Sequence, residues 1–158
     1  MKRRFLAMVS ACLLLLGLTA CGGNSSSQPQ KSPAEIADEI YSTQTFQDTL
    51  NAIDADMLGD YYRIEAADLT DSKVYVSGSF STAEEIAVFQ ASSEQAVDNI
   101  KKAIDTRLED LKLAFESYAP DEMTKINDPV LKTKGTVIVL VLADDTSAVS
   151  DKVEALLK

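Results

Sequence analysis

Residues 136–143 read Thr-Val-Ile-Val-Leu-Val-Leu-Ala, and this run decides the fold. It is apolar at every position after the threonine, so it lacks the alternation of a strand that has one face in water. A strand that is apolar on both faces needs cover on both sides. We therefore expect it to lie centrally in a sheet, with helices over each face. The Lys134-Gly135 pair just before it predicts a hairpin to a preceding strand.

A second hairpin is predicted upstream. Residues 74–80 read Val-Tyr-Val-Ser-Gly-Ser-Phe, and their period of two places Val74, Val76, Gly78 and Phe80 on one face of a strand. Gly78 is interpreted as the site of a bulge. Residues 85–90 read Glu-Ile-Ala-Val-Phe-Gln and predict the partner strand.

The longest predicted helix lies between these hairpins. Ser92, with Gln95 three residues later, resembles a capping box, and Pro120 ends the pattern. The apolar side chains between them fall on one helical face: Val97, Ile100, Ile104, Leu108, Leu111, Phe115 and Tyr118. The favoured interpretation is packing on the sheet, with docking of a partner helix as the alternative.

Shorter helices are predicted at both ends of the domain. Ser32-Pro33-Ala34-Glu35 is a capping box with proline at the first helical position. The stripe that begins at Ile36 and Ile40 is hypothesised to continue through Phe46 and Leu50. A short helical turn is predicted around Met57 and Leu58, another short segment over 121–126, and a closing helix from Val149, Val153 and Leu156. The order of elements predicts an α+β fold for residues 33–158, with a mainly antiparallel sheet of about four strands, one long amphipathic helix and shorter helices.

The N-terminus has the pattern of a targeting signal. Three basic residues, 2–4, precede an apolar run over 5–18 and then Leu18-Thr19-Ala20-Cys21. The run is shorter than the roughly 20 residues that a spanning helix needs. We predict a lipoprotein signal peptide over 1–20, cleaved between Ala20 and Cys21, with diacylglycerol on the Cys21 thiol. An uncleaved anchor and a secreted form without lipid are the alternatives.

The predicted signal peptide and the segment after it indicate where the protein is located. Residues 21–32 are Gly, Ser, Asn and Gln with single Pro, Lys and Cys residues, so we expect a lipidated flexible tether. The protein is then held at the outer, extracytoplasmic face of a cell membrane. Cys12 lies inside the signal peptide and Cys21 is acylated, so no internal disulfide is expected.

Charge narrows the range of partners. Loss of residues 1–20 leaves 12 of the 15 Lys and Arg residues against 25 Asp and Glu residues, a net charge of −13. Such a chain repels nucleic acid and favours cations or basic partners. The chain has no histidine, the usual base for a serine nucleophile, so catalysis of that kind is disfavoured. No cofactor is expected.

Several short motifs together resemble a known family. They are Ala83-Glu84-Glu85-Ile86-Ala87-Val88-Phe89, then Arg107, Phe115, Tyr118 and Pro120, and later Asn127, Val130 and Gly135. Over roughly residues 34–145 the chain resembles an uncharacterised domain-of-unknown-function family of Gram-positive lipoproteins. The resemblance implies a membrane-tethered extracytoplasmic domain without an established activity, and it transfers no catalytic residue.

Glu85 and Arg107 form the leading polar pair. Glu85 begins an apolar strand and Arg107 lies on the helix that follows, so the two could form a partly buried ion pair that orients the helix on the sheet. Recognition of a ligand by the pair is the alternative.

Weaker patterns suggest other chemistry. Asp54, Asp56, Asp60 and Glu65 partly fit a calcium loop with Gly at position six, but Leu58 stands where an oxygen ligand is needed, so no metal site is the favoured interpretation. Two adjacent carboxylate pairs, Glu84 with Glu85 and Asp144 with Asp145, leave glycosidase-like hydrolysis formally open. Neighbours on a strand point to opposite faces, which counts against either pair acting together. Tyr61-Tyr62 is interpreted as one buried and one surface ring, with a sugar-stacking platform as the alternative.

The leading functional hypothesis is a non-enzymatic lipoprotein that binds an envelope protein, peptide or polymer. The alternatives are a cell-envelope hydrolase that uses carboxylates and a weak divalent-cation-binding module.

Overall fold

The computed structural model describes residues 31–158. The signal peptide, Ala20, Cys21 and all of the tether except its last two residues lie outside the described residues. Five α-helices occur in the described part: α1 (Pro33–Thr43), α2 (Leu58–Tyr62), α3 (Glu94–Tyr118), α4 (Met123–Asn127) and α5 (Thr146–Leu156). The strands are β1 (Leu50–Ala52), β2 (Leu69–Ser77), β3 (Glu85–Ala91), β4 (Val130–Lys134) and β5 (Val137–Leu142). Single turns of 3-10 helix occur at Ala55–Met57, Ala66–Asp68 and Pro120–Glu122.

The strands form one antiparallel five-stranded sheet in the order β1-β2-β3-β5-β4. The α+β class is confirmed, and the strand that the sequence did not predict is β1. Leu50 was assigned to a helical stripe, but α1 ends at Thr43 and Leu50 pairs with Ser77 in β1. With three residues, of which only Leu50 is buried, β1 is too short to show a period of two.

Strand β5 is an interior strand, and all of its residues are buried. It lies between β3 and β4, one strand from the edge of the sheet. The central strand is therefore β3, and not β5 as the sequence predicted. Side chains of Val137, Val139 and Val141 join a core with α1 and α5, whereas Ile138, Leu140 and Leu142 join the core beneath α3. The expected cover on both faces is present, and it explains why the strand does not alternate.

Helix α3 extends over 25 residues and buries one face on the sheet. Its N-cap is Ser93, which accepts from the Ala96 amide at 3.1 Å, so the prediction of a cap at Ser92 was wrong by one residue. Ser92 instead donates its hydroxyl to the carbonyl of Ala67 at 2.8 Å. Tyr118, predicted on the buried stripe, is 71% exposed because it is the last helical residue and nothing covers it.

The hairpin of β2 and β3 is confirmed, but its loop is longer than predicted. Strand β2 ends at Ser77, so Gly78 and Phe80 lie in the loop over 78–84 and not on the strand. A Cβ on Gly78 would lie 2.8 Å from the carbonyl oxygen of Thr49, so close approach of the chain before β1, and not a bulge, requires this glycine. The register of the hairpin shifts elsewhere, between Leu69 and Asp71.

Within residues 31–158, no helix combines the length and apolar character that crossing a membrane requires.

Candidate functional site: a pocket beside the long helix

A pocket of about 260 Å³ opens between α3 and the loop over 78–84. Its walls are apolar and include Val76, Ala83 and Phe115. Two aromatic side chains that also line it are largely in solvent, Phe80 at 67% exposure and Tyr118 at 71%. We place these two rings at the mouth of the pocket, since they contact both its interior and water.

Glu85 and Arg107 meet in the lining of the pocket. Nη2 of Arg107 lies 2.6 Å from Oε2 of Glu85, and the Tyr62 hydroxyl donates to the other oxygen of the same carboxylate. The guanidinium also lies over the rings of Tyr61 and Tyr62, at 5.3 and 5.8 Å from their centroids. Glu85 is 2% exposed, so its charge depends on these partners for compensation.

Burial and the carboxylate set the protonation of this cluster. Burial raises the pKa of Tyr62 well above its usual value, and the charge of Glu85 raises it further, so the phenol stays a neutral donor. Burial alone would lower the pKa of Arg107, but the Glu85 carboxylate more than offsets this effect, and the pKa is raised. Arg107 is therefore a permanent cation whose charge Glu85 balances.

One hydrogen-bond donor of this cluster has no partner among the described residues. Nε of Arg107 is buried, and it finds no hydrogen-bond acceptor among the described residues. A buried N–H without a partner costs about 1–3 kcal/mol, so such groups are rare in native proteins. Arg107 therefore carries this cost within the fold, beside the pocket.

The loop at the mouth is fixed by two carboxylates. Asp48 accepts from the Ser79 amide at 2.9 Å and also from the Ser77 hydroxyl. These hydrogen bonds, that of Ser77 foremost, hold the pKa of Asp48 well below its usual range. Glu84 accepts from the backbone amides of Gln47 and Asp48 at 2.7 and 2.9 Å. Both ends of the loop over 78–84 are therefore tied to the segment before β1.

Phe80 is held in an unusual conformation within this loop. Its φ is 57°, in the left-handed region that bulky residues rarely adopt. Such outliers persist only where the surroundings impose them, and they concentrate at functional sites.

A second buried ion pair lies near the start of β3. Nζ of Lys125 is 2.9 Å from Oε2 of Glu122 and 3.3 Å from Oδ1 of Asp144. The same Glu122 oxygen accepts from the Ala83 amide at 2.8 Å. Lys125 is 2% exposed, and although burial alone would lower its pKa, the partners raise it. The cluster ties α4 and the turn before it to the chain that enters β3.

The adjacent carboxylates act in separate networks. Glu84 contacts the segment before β1 while Glu85 contacts Tyr62 and Arg107. Asp144 pairs with Lys125, whereas Asp145 caps α5 by accepting from the Ala148 amide at 2.9 Å.

The residues of the hypothesised calcium loop are distributed over several short elements. Asp54 precedes the turn Ala55–Met57, Asp56 lies within it, Asp60 is in α2, and Glu65 precedes the turn Ala66–Asp68. In the part of the chain that the structure covers, no three His, Cys, Asp or Glu side chains are grouped so as to hold a metal ion. Tyr62 is buried and Tyr61 is half-buried, as the favoured interpretation of this pair predicts.

Sequence reasoning missed several residues of the site. Phe80 was predicted on one face of a strand, together with Val74 and Val76, and Asp48, Glu122 and Lys125 were not singled out. A signal for the loop was available, because Ser77-Gly78-Ser79 and Ser81-Thr82 surround Phe80 with residues typical of turns. The spacing of Glu122 and Lys125 is that of a helical ion pair, but it does not reveal burial.

Comparison with known proteins identifies the family of this domain. Residues 43–143 match the family described as Domain of unknown function (DUF4358). The chain belongs to this family. The DUF4358 match covers all five strands, α3 and the pocket, and it excludes α5 and nearly all of α1. The predicted resemblance to an uncharacterised family is thereby confirmed, while its lipoprotein character stays a prediction. No curated protein and no solved structure shows a significant match to this chain.

Proposed function

We propose that this chain is a lipoprotein anchored through Cys21 at the outer face of a Gram-positive cell membrane, with a DUF4358 domain that acts as a non-enzymatic binding module. The anchor is supported by the basic start, the short apolar run and the Thr19-Ala20-Cys21 sequence. Residues 22–30, all Gly, Asn, Ser, Gln or Pro, connect the anchor to the domain.

The observation that carries the binding function is the pocket beside α3. Ligand sites in proteins are concave and mostly apolar, with a few fixed polar groups, and this pocket has that composition. Its polar side chains are already oriented, since Glu85 accepts from both Tyr62 and Arg107. The aromatic pair at its mouth, Phe80 and Tyr118, exposes apolar area that a bound partner would cover.

The anchor is tested by metabolic labelling with a radioactive fatty acid in the native host. We expect label in the wild-type protein and none in Cys21→Ala, which should also leave the membrane fraction. Cys12→Ala is the matched control, because Cys12 lies in the predicted signal peptide and its loss should leave the labelling unchanged. Labelled Cys21→Ala, or a soluble cytoplasmic protein that retains residues 1–20, would contradict the anchor.

The binding function is tested by photocrosslinking in cells. A photoreactive phenylalanine analogue replaces Phe80, and in a control protein it replaces Leu113, which is 77% exposed on α3 but outside the pocket lining. We expect crosslinked adducts from position 80 and few from position 113. Equal adducts from both positions would show that the pocket is not a preferred contact site.

A further inference from the structure

We propose that the pocket receives a single apolar side chain of a peptide segment with basic flanks. This inference rests on the proposed binding function and names the chemical class of its ligand. Four features of the described residues support it.

The first feature is size. At about 260 Å³ the pocket lies just below the range of roughly 300–1,000 Å³ typical of sites for whole drug-sized ligands. Its apolar walls, among them Val76, Leu111 and Phe115, suit a large aliphatic or aromatic group. A single side chain, presented by a longer molecule that stays outside, fits such a space.

The second feature is the charge of the pocket lining. Arg107 lines the pocket, and Glu85 already balances its charge at 2.6 Å. An anionic group in the pocket would lie next to a carboxylate that is 2% exposed, and the two negative charges would repel each other. The lining therefore favours an uncharged side chain over an anionic one.

The third feature is charge outside the pocket. The described residues contain 12 of the 15 Lys and Arg residues and all 25 Asp and Glu residues, a net charge of −13. The field of such a domain attracts cationic segments and repels anionic ones, and so favours Lys or Arg on either side of the inserted side chain.

The fourth feature is preorganisation of the mouth. Asp48 and Glu84 fix the loop on which Phe80 is held at a φ of 57°. An aromatic ring that is held in place before binding loses little conformational freedom when a partner covers it. Phe80 and Tyr118 would contact the peptide on either side of the inserted residue.

The test is fluorescence anisotropy with the full lipidated chain in detergent micelles and labelled synthetic peptides. The probe is acetyl-Lys-Lys-Gly-Phe-Gly-Lys-Lys-amide, compared with peptides that carry Ala in place of Phe or Glu in place of Lys. We expect each change in the peptide to weaken binding at least tenfold. Equal binding of all three peptides would overturn the inference.

Two variants of the protein test the geometry without loss of the fold. Phe80→Gly relieves the left-handed backbone, so the protein should melt no lower than wild type, yet it should bind the Phe peptide at least fivefold more weakly. Tyr118→Ala removes the second ring at the mouth; because Tyr118 is 71% exposed, the melting temperature should stay close to that of wild type, yet binding should weaken to a similar extent. Leu113→Ala is the control that should bind as wild type does. Unchanged affinity of both pocket variants would overturn the inference.

Crosslinking from position 80 separates this inference from the proposed function. Crosslinks to peptide or protein segments that contain Lys or Arg support both. Crosslinks only to lipid or to polysaccharide would overturn the peptide assignment while leaving the binding function in place. No preference for position 80 over position 113, together with no peptide binding, would overturn both.

Discussion

At the scale of single residues, the pairing of Arg107 with Glu85 joins α3 to strand β3 of the sheet. Loss of one partner leaves the other charge buried, which costs about 3–5 kcal/mol. We expect Arg107→Ala to lower the free energy of unfolding by that amount in urea titrations, because Glu85 is 2% exposed.

An exposed pair provides the control for this prediction. Arg63 and Asp110 lie 2.9 Å apart, with side chains 62% and 42% exposed. Arg63→Ala should change the free energy of unfolding by at most about 1 kcal/mol, since water screens such pairs. Equal effects of the two alanine variants would show that the Glu85 pair does not stabilise α3 on the sheet.

Asp48 predicts how stability depends on pH. Hydrogen bonds from Ser77 and Ser79 hold its folded pKa well below the value of about 3.9 expected in the unfolded chain. The unfolded chain therefore takes up this proton first as the pH falls. The stabilisation is complete above about pH 5 and is lost as the pH falls further, toward the folded pKa.

We therefore expect Asp48→Asn to lower the melting temperature at neutral pH. Between about pH 5 and pH 2, the melting temperature of this variant should decrease less than that of wild type. Melting curves by circular dichroism across that range provide the measurement. Asp56→Asn, at an exposed carboxylate on the turn Ala55–Met57, is the control. If the melting temperature of Asp48→Asn decreased as steeply with falling pH as that of wild type, Asp48 would not be a source of the acid sensitivity.

At the scale of elements, the edge strand β1 depends on the glycine that follows β2. A Cβ on Gly78 would lie 2.7 Å from Nδ2 of Asn51 and 2.8 Å from the carbonyl oxygen of Thr49. The backbone must move to admit it, so Gly78→Ala should cost about 1–3 kcal/mol and displace β1. Urea denaturation measures the cost, and amide exchange of residues 50–52 reports the displacement.

Gly59 is the matched control for this prediction. It lies in α2, and a Cβ there would meet nothing within 4 Å. Gly59→Ala should leave stability unchanged or raise it by up to about 1 kcal/mol. If both alanine variants were equally stable, close approach at Gly78 would not be the reason for a glycine there.

At the scale of the whole molecule, two cores share one sheet. Ile86 in β3 belongs to the core under α1 and α5, and Leu140 in β5 belongs to the core under α3. Because β3 and β5 are paired along their lengths, neither core can open without the strands of the other. We expect Ile86→Ala and Leu140→Ala each to cost about 2–5 kcal/mol and to shift a single unfolding transition. Two separate transitions by calorimetry would show that the cores unfold independently.

The features that were predicted correctly from the sequence are those that local sequence patterns encode. The capping box is present, with the Ser32 amide donating to Glu35 at 2.8 Å and the Glu35 amide donating to the Ser32 hydroxyl at 3.3 Å. The long amphipathic helix, both hairpins and the interior strand at residues 137–142 were also predicted. Each depends on contacts or periods within a few residues, which the chain displays directly.

Much of the candidate site depends on contacts that no local pattern displays. Glu84 binds amides at positions 47 and 48, and Glu122 binds the amide of Ala83. A carboxylate in a loop has the same local signature whether it is solvated or buried against a distant segment, so its partner was not predictable. The pairing of Glu85 with Arg107 was foreseen because strand and helix follow each other along the chain.

By itself, the sequence determined the α+β class, the interior strand, the family likeness and, as a prediction, the lipid anchor at Cys21, because periodicity, caps and signal motifs are local. Only the tertiary structure decided the three-residue strand β1, the exposed position of Phe80 and the orphaned Nε of Arg107. These features arise where segments that are distant in the chain come together. Packing and burial between such segments determine them, and local sequence preferences do not show these contacts.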